Sequence, residues 1–222
     1  MVGYTWHFGV VWEYREVFLR GALVTAKLTA GALAIGLVLG LLIGMAKSSR
    51  RAWLRVPATT YVELFRATPT LVQLVWIYYS LPILTGVQLG SFVSVTLGLG
   101  MNAGAYFAEI FRAGILSIDR GQMDAAKAIG MRHWQAMRRI ILPQAVRRMI
   151  PPFINETATL VKLTTLGSVL AVYELLHESN NLITNTFRPL EVYTTLALAF
   201  FAIIYPIIYL SRWLERAWVA RS

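Results

Sequence analysis

Gly121-Gln122-Met123-Asp124-Ala125-Ala126-Lys127-Ala128-Ile129-Gly130, followed after nine residues by Ile140-Ile141-Leu142-Pro143, is a charged, helix-forming stretch set between very apolar segments. Its order is an acid, two alanines, three residues, glycine, and then Ile-x-Leu-Pro. Gly121 to Ile129 are mostly good helix formers, and Gly130 suits a left-handed C-terminal cap. Asp124 is expected in the first turn, where the helix dipole favours an acid. Arg132 to Ile141 is expected to form a second short helix, stopped at Leu142-Pro143 because proline disfavours helical geometry in the residue before it. Ala125 and Ala126 offer a small surface that another protein can approach closely.

Around this stretch the chain is apolar. Of 222 residues 57% are hydrophobic, and the mean hydropathy is +0.57, more than soluble domains usually carry. A spanning helix needs about 20 mostly apolar residues. Five stretches qualify: near 18–46, 59–79, 92–111, 150–172 and 193–210. The first is too long for a signal peptide and reads as a retained helix. A single unit over 1–222 is expected, with the charged loop at about 118–148.

The formal net charge is +10, but the positive residues lie in short segments beside apolar spans, as the positive-inside rule produces. Lys47, Arg50, Arg51 and Arg55 follow the first span. Arg120, Lys127, Arg132, Arg138, Arg139, Arg147 and Arg148 follow the third, and Arg212, Arg216 and Arg221 close the chain. The loop 81–91 is uncharged, and 173–192 holds Glu174, Glu178, Arg188 and Glu191. Five spans with the N-terminus outside and the C-terminus inside satisfy these loops. A nucleic-acid footprint would cluster on one polar face, so no nucleic-acid partner is expected. Aromatics such as Trp6, Trp12, Trp53, Trp76, Trp213 and Trp218 gather where interfaces with membrane lipid are expected. With no cysteine there is no disulfide framework or thiolate chemistry. His7, His133 and His177 are scattered, and no metal site is expected.

Ionisable residues inside spans usually face the bundle interior or a water-filled cavity. Glu63-Leu64-Phe65-Arg66-Ala67-Thr68-Pro69-Thr70 lies in the second span. Glu63 and Arg66 share a helix face, and Pro69 should kink the helix. Two readings stand for Arg66: a pathway residue, or a snorkelling side chain with a local salt bridge. The third span holds Asn102 and the pair Glu109 and Arg112, for which an inner-interface ion pair competes with a substrate role. The fourth holds Asn155, Glu156, Lys162, Thr164 and Thr165. Lys162 reads as deep in its span, either facing a cavity or paired with Glu156. Gly31, Gly36, Gly40 and Gly44 show small-xxx-small spacing, which favours close packing.

The spaced pattern from Asp124 to Pro143 resembles the EAA loop of bacterial ABC importer permeases, with Asp124 where the family usually has Glu. Phe65-Arg66-Ala67-Thr68-Pro69, the run Tyr106-Phe107-Ala108-Glu109-Ile110-Phe111-Arg112-Ala113-Gly114-Ile115, and Lys162-Leu163-Thr164-Thr165-Leu166 resemble polar amino acid permeases of that group, whose transmembrane domain is MetI-like. Where the family often has Lys-Asp-Thr-Ser-Leu, this chain has Leu163 instead of an acid.

The resemblance implies an all-α integral membrane protein: a five-helix type I ABC importer permease of the inner membrane, with a cytoplasmic coupling helix. It implies Gly121, Asp124, Ala125, Ala126, Gly130, Ile140, Leu142 and Pro143 for coupling. Arg66, Thr68, Pro69, Asn102, Lys162, Thr164 and Thr165 are the candidates for the pathway or gate. The implied partners are a cytoplasmic ATPase dimer, a second permease subunit, identical or not, and a periplasmic solute-binding protein. No cofactor is bound directly, since the chain has no G-x-x-x-x-G-K-[ST] stretch and the partner uses the ATP. Lys162, Arg66 and the absent acid at Leu163 favour glutamate or aspartate as cargo, with glutamine, basic amino acids and opine-like solutes as alternatives. A membrane enzyme using Glu63, Glu109 or Glu156 has no supporting motif, and a simple channel leaves the coupling loop unexplained.

Overall fold

Arg15–Lys47 forms one helix, α2, because its Gly/Ala/Leu run contains no proline and no charge between Lys27 and Lys47. Its 33 residues reach about 50 Å at the usual helical rise. The computed structural model describes residues 4–219, with side chains to Ala217; Arg221 and the Trp218 side chain lie outside the described residues. A short α1, Gly9–Glu13, precedes α2. Then follow α3 (Ala52–Ala67), α4 (Thr70–Val75), α5 (Leu81–Thr85), α6 (Ser91–Leu116), α7 (Arg120–Ala128), α8 (His133–Ala136), α9 (Leu142–Leu163), α10 (Leu175–Thr186) and α11 (Pro189–Val219). No strand occurs among the described residues.

The long helices α2 and α6 run along one another and form the centre of the bundle. Their contact is a seam of small residues. Gly36, Gly40 and Gly44 of α2 are buried against Ala103, Phe107, Ala108 and Phe111 of α6. Gly100 and Gly104 of α6 in turn face Ile35 and Leu39 of α2. The small-xxx-small spacing therefore serves packing inside one chain, where close backbone approach supplies van der Waals contact that lipid cannot improve on. Leu28, Leu74, Val95, Leu99, Phe107 and Leu160 complete the core around the seam.

Two helices, α2 and 189–217 of α11, are by themselves long and apolar enough to cross a membrane, and up to four segments are if each bent pair counts as one span. The expected second span is broken. Thr68 is extended (φ −112°, ψ 146°), as a residue before proline is biased to be, and the helices on either side of Pro69 meet at 110°. The expected fourth span also differs. It begins at Leu142 and ends as a 3₁₀ turn over Thr164–Leu170, after which α10 departs at 50°. Lys162 accordingly sits in the last turn of α9 and not in mid-helix.

Leu142-Pro143 does not stop the helix: the run that begins at His133 continues through it into α9. This run tolerates the proline because the preceding Met137–Ile141 widens into a π-turn. Such a turn relieves the clash between a proline ring and the carbonyl four residues back. The same device recurs at Trp76–Ser80, followed by Leu81-Pro82.

The loop charges at 174 and 191 are both fully buried. Glu174 caps α10, accepting from the N–H groups of Leu176 (2.9 Å) and His177 (2.8 Å). Glu191 holds the N-terminal segment against α11: it accepts from the His7 N–H (2.9 Å) and the Tyr4 hydroxyl, with Arg188 3.6 Å away. That carboxylate pushes the Tyr4 phenol up from its ordinary pKa. Replacing Glu191 by leucine removes the acceptor of both the Tyr4 hydroxyl and the His7 N–H, and leaves the Arg188 bond to the Thr5 carbonyl (3.0 Å) as the remaining polar tie described for this segment. Limited proteolysis should then cut residues 4–14 several-fold faster in Glu191→Leu than in the parent; equal resistance would refute the clasp.

Candidate functional site

The loop that follows α6 is built onto the bundle by its apolar side. Ile118, Ile141, Ala145 and Met149 form a second small core under the end of α6, and Met149 fills the space beside Gly114. The Arg148 guanidinium donates to the Ser117 carbonyl. On this base stands α7. Its cap is Asp119, whose Oδ1 accepts from the Gly121 N–H at 2.6 Å. Asp124 therefore lies mid-helix, well beyond the cap, and carries no first-turn dipole role; it faces Lys127 at 3.6 Å on the surface.

The end of α7 follows the glycine rule. Gly130 has φ +80°, its N–H donates to the Lys127 carbonyl (2.9 Å), and the Met131 N–H donates to the Ala126 carbonyl (3.0 Å). This pair of bonds is the Schellman arrangement. The two alanines part company. Ala126 is buried at 1% exposure against the chain's own loop, whereas Ala125 is exposed. Gly121, Gln122, Asp124, Ala125, Ala128 and Ile129 form the free face, and Ile129 is 77% exposed. Trp134, at the start of α8, is also open. Two large apolar side chains held out beside small ones make a shaped contact surface. Ile129 and Trp134 are legible in the sequence only as helix residues; their exposure follows from the fold. Ile140 is half-buried against the second core, and Leu142 and Pro143 lie on the surface at the start of α9.

The break in the second span brings together residues from three helices, α3, α4 and α6. Gln73 Nε2 donates to the carbonyls of Phe65 (2.8 Å) and Thr68 (3.0 Å) and to Thr68 Oγ1 (2.8 Å). Thr68 Oγ1 in turn donates to the Leu64 carbonyl (2.8 Å). Buried Asn102, from α6, donates to Gln73 Oε1 (2.9 Å) and lies 3.4 Å from the Phe65 carbonyl. Thr68, Pro69 and Asn102 are thus neighbours. Gln73, on which they converge, reads in the sequence as one polar residue in an apolar run.

Arg66 does not pair with Glu63. Its guanidinium lies over the Tyr106 ring, 5.5 Å from the centroid, a contact worth about 0.5–1 kcal/mol where exposed. Glu63 instead faces Lys47 at 3.9 Å, and Lys47 also pairs with Glu109, which Arg112 meets at 3.3 Å. The Glu109–Arg112 pair therefore forms, within a four-charge cluster where α2, α3 and α6 meet.

Lys162, Thr164 and Thr165 are not brought to this network. Thr164 is fully buried, and its hydroxyl donates to the Val161 carbonyl (2.8 Å). Thr165 donates to the Lys162 carbonyl (2.7 Å). Lys162 and Thr165 line a groove of about 450 Å³ between α9 and α11, walled by Phe200, Phe201, Ile204, Tyr205 and Ile208. Among the described residues the carboxylates in ion pairs are Glu16, Glu63, Glu109, Asp124 and Glu191, so Lys162 has no Glu156 bridge. No group of residues suited to a metal occurs among the described residues.

Residues 36–220 match the family model described as binding-protein-dependent transport system inner membrane component. The chain is 39% identical over 191 residues to the octopine transport system permease protein OccM of Rhizobium meliloti, covering 82% of this chain and 78% of that one. It is 34% identical over 210 residues to the glutamine transport system permease protein GlnP of Escherichia coli (strain K12), covering 94% and 96%. Among solved structures, an amino acid ABC transporter superposes with a TM-score of 0.90 at 34% identity, covering 96% of this chain and all of that one. The MetNI methionine ABC transporter, at 22% identity and a TM-score of 0.75, covering 90% of this chain and 95% of that one, shares the fold. Matched over most of its length and by these relatives, the chain belongs to the family of binding-protein-dependent transport system inner membrane components.

Proposed function

We propose that this chain is the inner-membrane permease subunit of an ATP-driven, binding-protein-dependent importer of polar amino acids or opines. The observation that carries the proposal is the α7 surface. A short capped helix stands clear of the bundle on its own small core, with Ala125, Ala128 and Ile129 outward. Such a helix is suited to press into a groove on a cytoplasmic ATPase. The permease itself is not an enzyme in this reading. An ATPase dimer, a second permease subunit and a periplasmic solute-binding protein complete the machine.

In this reading the whole chain is one membrane domain with five crossings. α6 serves as the crossing beyond the two to four that length and apolarity single out: its 26 residues span about 39 Å, and Ser94, Gly98, Gly100, Asn102 and Gly104 are buried inside the bundle. The N-terminus then lies outside, and the Arg-bearing end of α11 inside, as the positive-inside rule favours. α7 falls on the cytoplasmic side together with Arg132, Arg138 and Arg139.

Glutamine and opines are favoured as cargo by the relatives' names and by the near-complete match to the glutamine permease. Glutamate or aspartate is the competing cargo, resting on Arg66, Lys162 and Leu163. Arg66 at the helix break is the better placed of the two cations, since Lys162 opens on an apolar groove instead.

The test is uptake of labelled glutamine into vesicles holding the reconstituted complex, with ATP inside and binding protein outside. Uptake that needs both ATP and binding protein, and that unlabelled octopine or glutamine suppresses, supports the reading. ATP-driven uptake of labelled aspartate in the same vesicles, with none of labelled glutamine, would move the cargo to acidic amino acids, and uptake without ATP would overturn the importer.

A further inference from the structure

Pro69 creates a specific debt in the backbone. In a continuous helix the N–H of residue 69 would donate to the Phe65 carbonyl; proline has no N–H to give. The carbonyl of Thr68, extended and outside both helices, has likewise lost its helical donor. Within a membrane such groups must be satisfied internally. Here one side chain, Gln73, reaches back and supplies both carbonyls, and Asn102 of α6 fixes the other end of that carboxamide.

We infer that Gln73, clamped by Asn102, is a positioning residue that sets the sharp angle between α3 and α4 and ties that angle to α6. The consequence rests on the transport reading above. α6 leads through Ile118 into the α7 loop, so a displacement of α7 reaches the broken span through the Asn102–Gln73 bond. Four observations converge on this one side chain: a missing donor, a sharp bend, two orphaned carbonyls, and a buried amide from the central helix. A merely space-filling residue would need none of these bonds.

The chain has no cysteine, so spin labels can be placed at Thr60→Cys on α3 and Leu84→Cys on α5 with no other change to this chain, which is labelled before the complex is assembled. Both positions are exposed. The distance between the labels is to be measured in the full complex in lipid discs, for the parent, Gln73→Leu and Gln73→Glu. Glutamate keeps the size of glutamine and loses the donating N–H, which separates positioning from space-filling.

The parent should give one narrow distance and both variants a broad, multi-peaked distribution. Uptake should fall about tenfold while the ATPase still co-purifies. Asn102→Leu should act like Gln73→Leu, and the double variant should be no worse than either, as members of one network behave. An unchanged narrow distance in both Gln73 variants would overturn the inference, as would broadening with undiminished uptake. A parent complex without ATP-driven uptake would remove the transport reading, and the label distances would still decide whether Gln73 sets the joint.

Discussion

Gly130→Pro should abolish ATP-driven uptake by the reconstituted complex, a loss of at least about tenfold, and should weaken co-purification of the ATPase. The proline ring locks its backbone on the negative side of φ, whereas residue 130 sits at φ +80°. The substitution also deletes the N–H that closes the helix onto the Lys127 carbonyl. The Schellman end then unwinds, and Ile129, just before it, loses its fixed direction. Asp124→Arg isolates docking from folding. Its carboxylate is exposed and touches only Lys127, a surface pair worth less than about 1 kcal/mol. The variant should therefore keep the parent's melting temperature and still lose most uptake, because an arginine stands on the face offered to the ATPase. Parental uptake in both variants would remove α7 from the coupling path. Parental melting with lost uptake in Asp124→Arg is the outcome the docking face requires.

Gly40→Leu should be the most damaging single substitution for stability. A Cβ at this position would lie 2.5 Å from the Phe107 Cβ, and 3.2 Å from both the Ala108 nitrogen and the Gly104 oxygen. These are atoms at or on the backbone of α6, not the far ends of flexible side chains, so the two central helices must separate. Overpacking costs about 1–3 kcal/mol where neighbours can yield, and here they cannot. A loss of about 3 kcal/mol in a chain of this size should lower the melting temperature of the purified permease by roughly 6–12 °C. Gly90→Ala is the control. Nothing lies within 4 Å of a Cβ there, its backbone is ordinary (φ −64°), and the variant should melt like the parent. A Gly40→Leu protein that melts with the control would show that the seam is not where the stability resides.

What the sequence reveals and what it hides divides along the range of the interactions. α2 and α11 are legible because each is one long apolar run whose residues need no distant partner to be helical. The Gly130 cap is legible because the requirement for φ > 0 is local. The break at Pro69 is only half legible. Proline announces a kink, but the size of the bend depends on an amide clamped by Asn102, which belongs to a different helix. Asp124 reads as a helix-start residue because an acid suits that place; Asp119 suits it too and lies where the chain turns. Leu142-Pro143 reads as a stop because proline disfavours helical geometry before it, and only the π-turn at Met137–Ile141 lets the helix run on through it. Glu174 and Glu191 read as solvent-facing loop charges, since nothing in the neighbouring residues reveals that backbone N–H groups and Tyr4 will bury them. Lys47 reads as one of a row of positive-inside charges, whereas tertiary packing gives it two carboxylates.

The two π-turns, at Trp76–Ser80 and Met137–Ile141, each hold one residue more than an α-helical turn would. Removing that residue would leave a smoother helix, yet every side chain beyond it would rotate by about 100°. A single deletion between 137 and 141 would thus swing the whole of α9 out of phase, turning Lys162 away from α11 and Met149 away from Gly114. Substitutions in these segments are open to change, but their length is not: a homologue that shortens one must restore the count before the next buried residue. Insertion tags and chimera junctions in this protein therefore belong outside both turns.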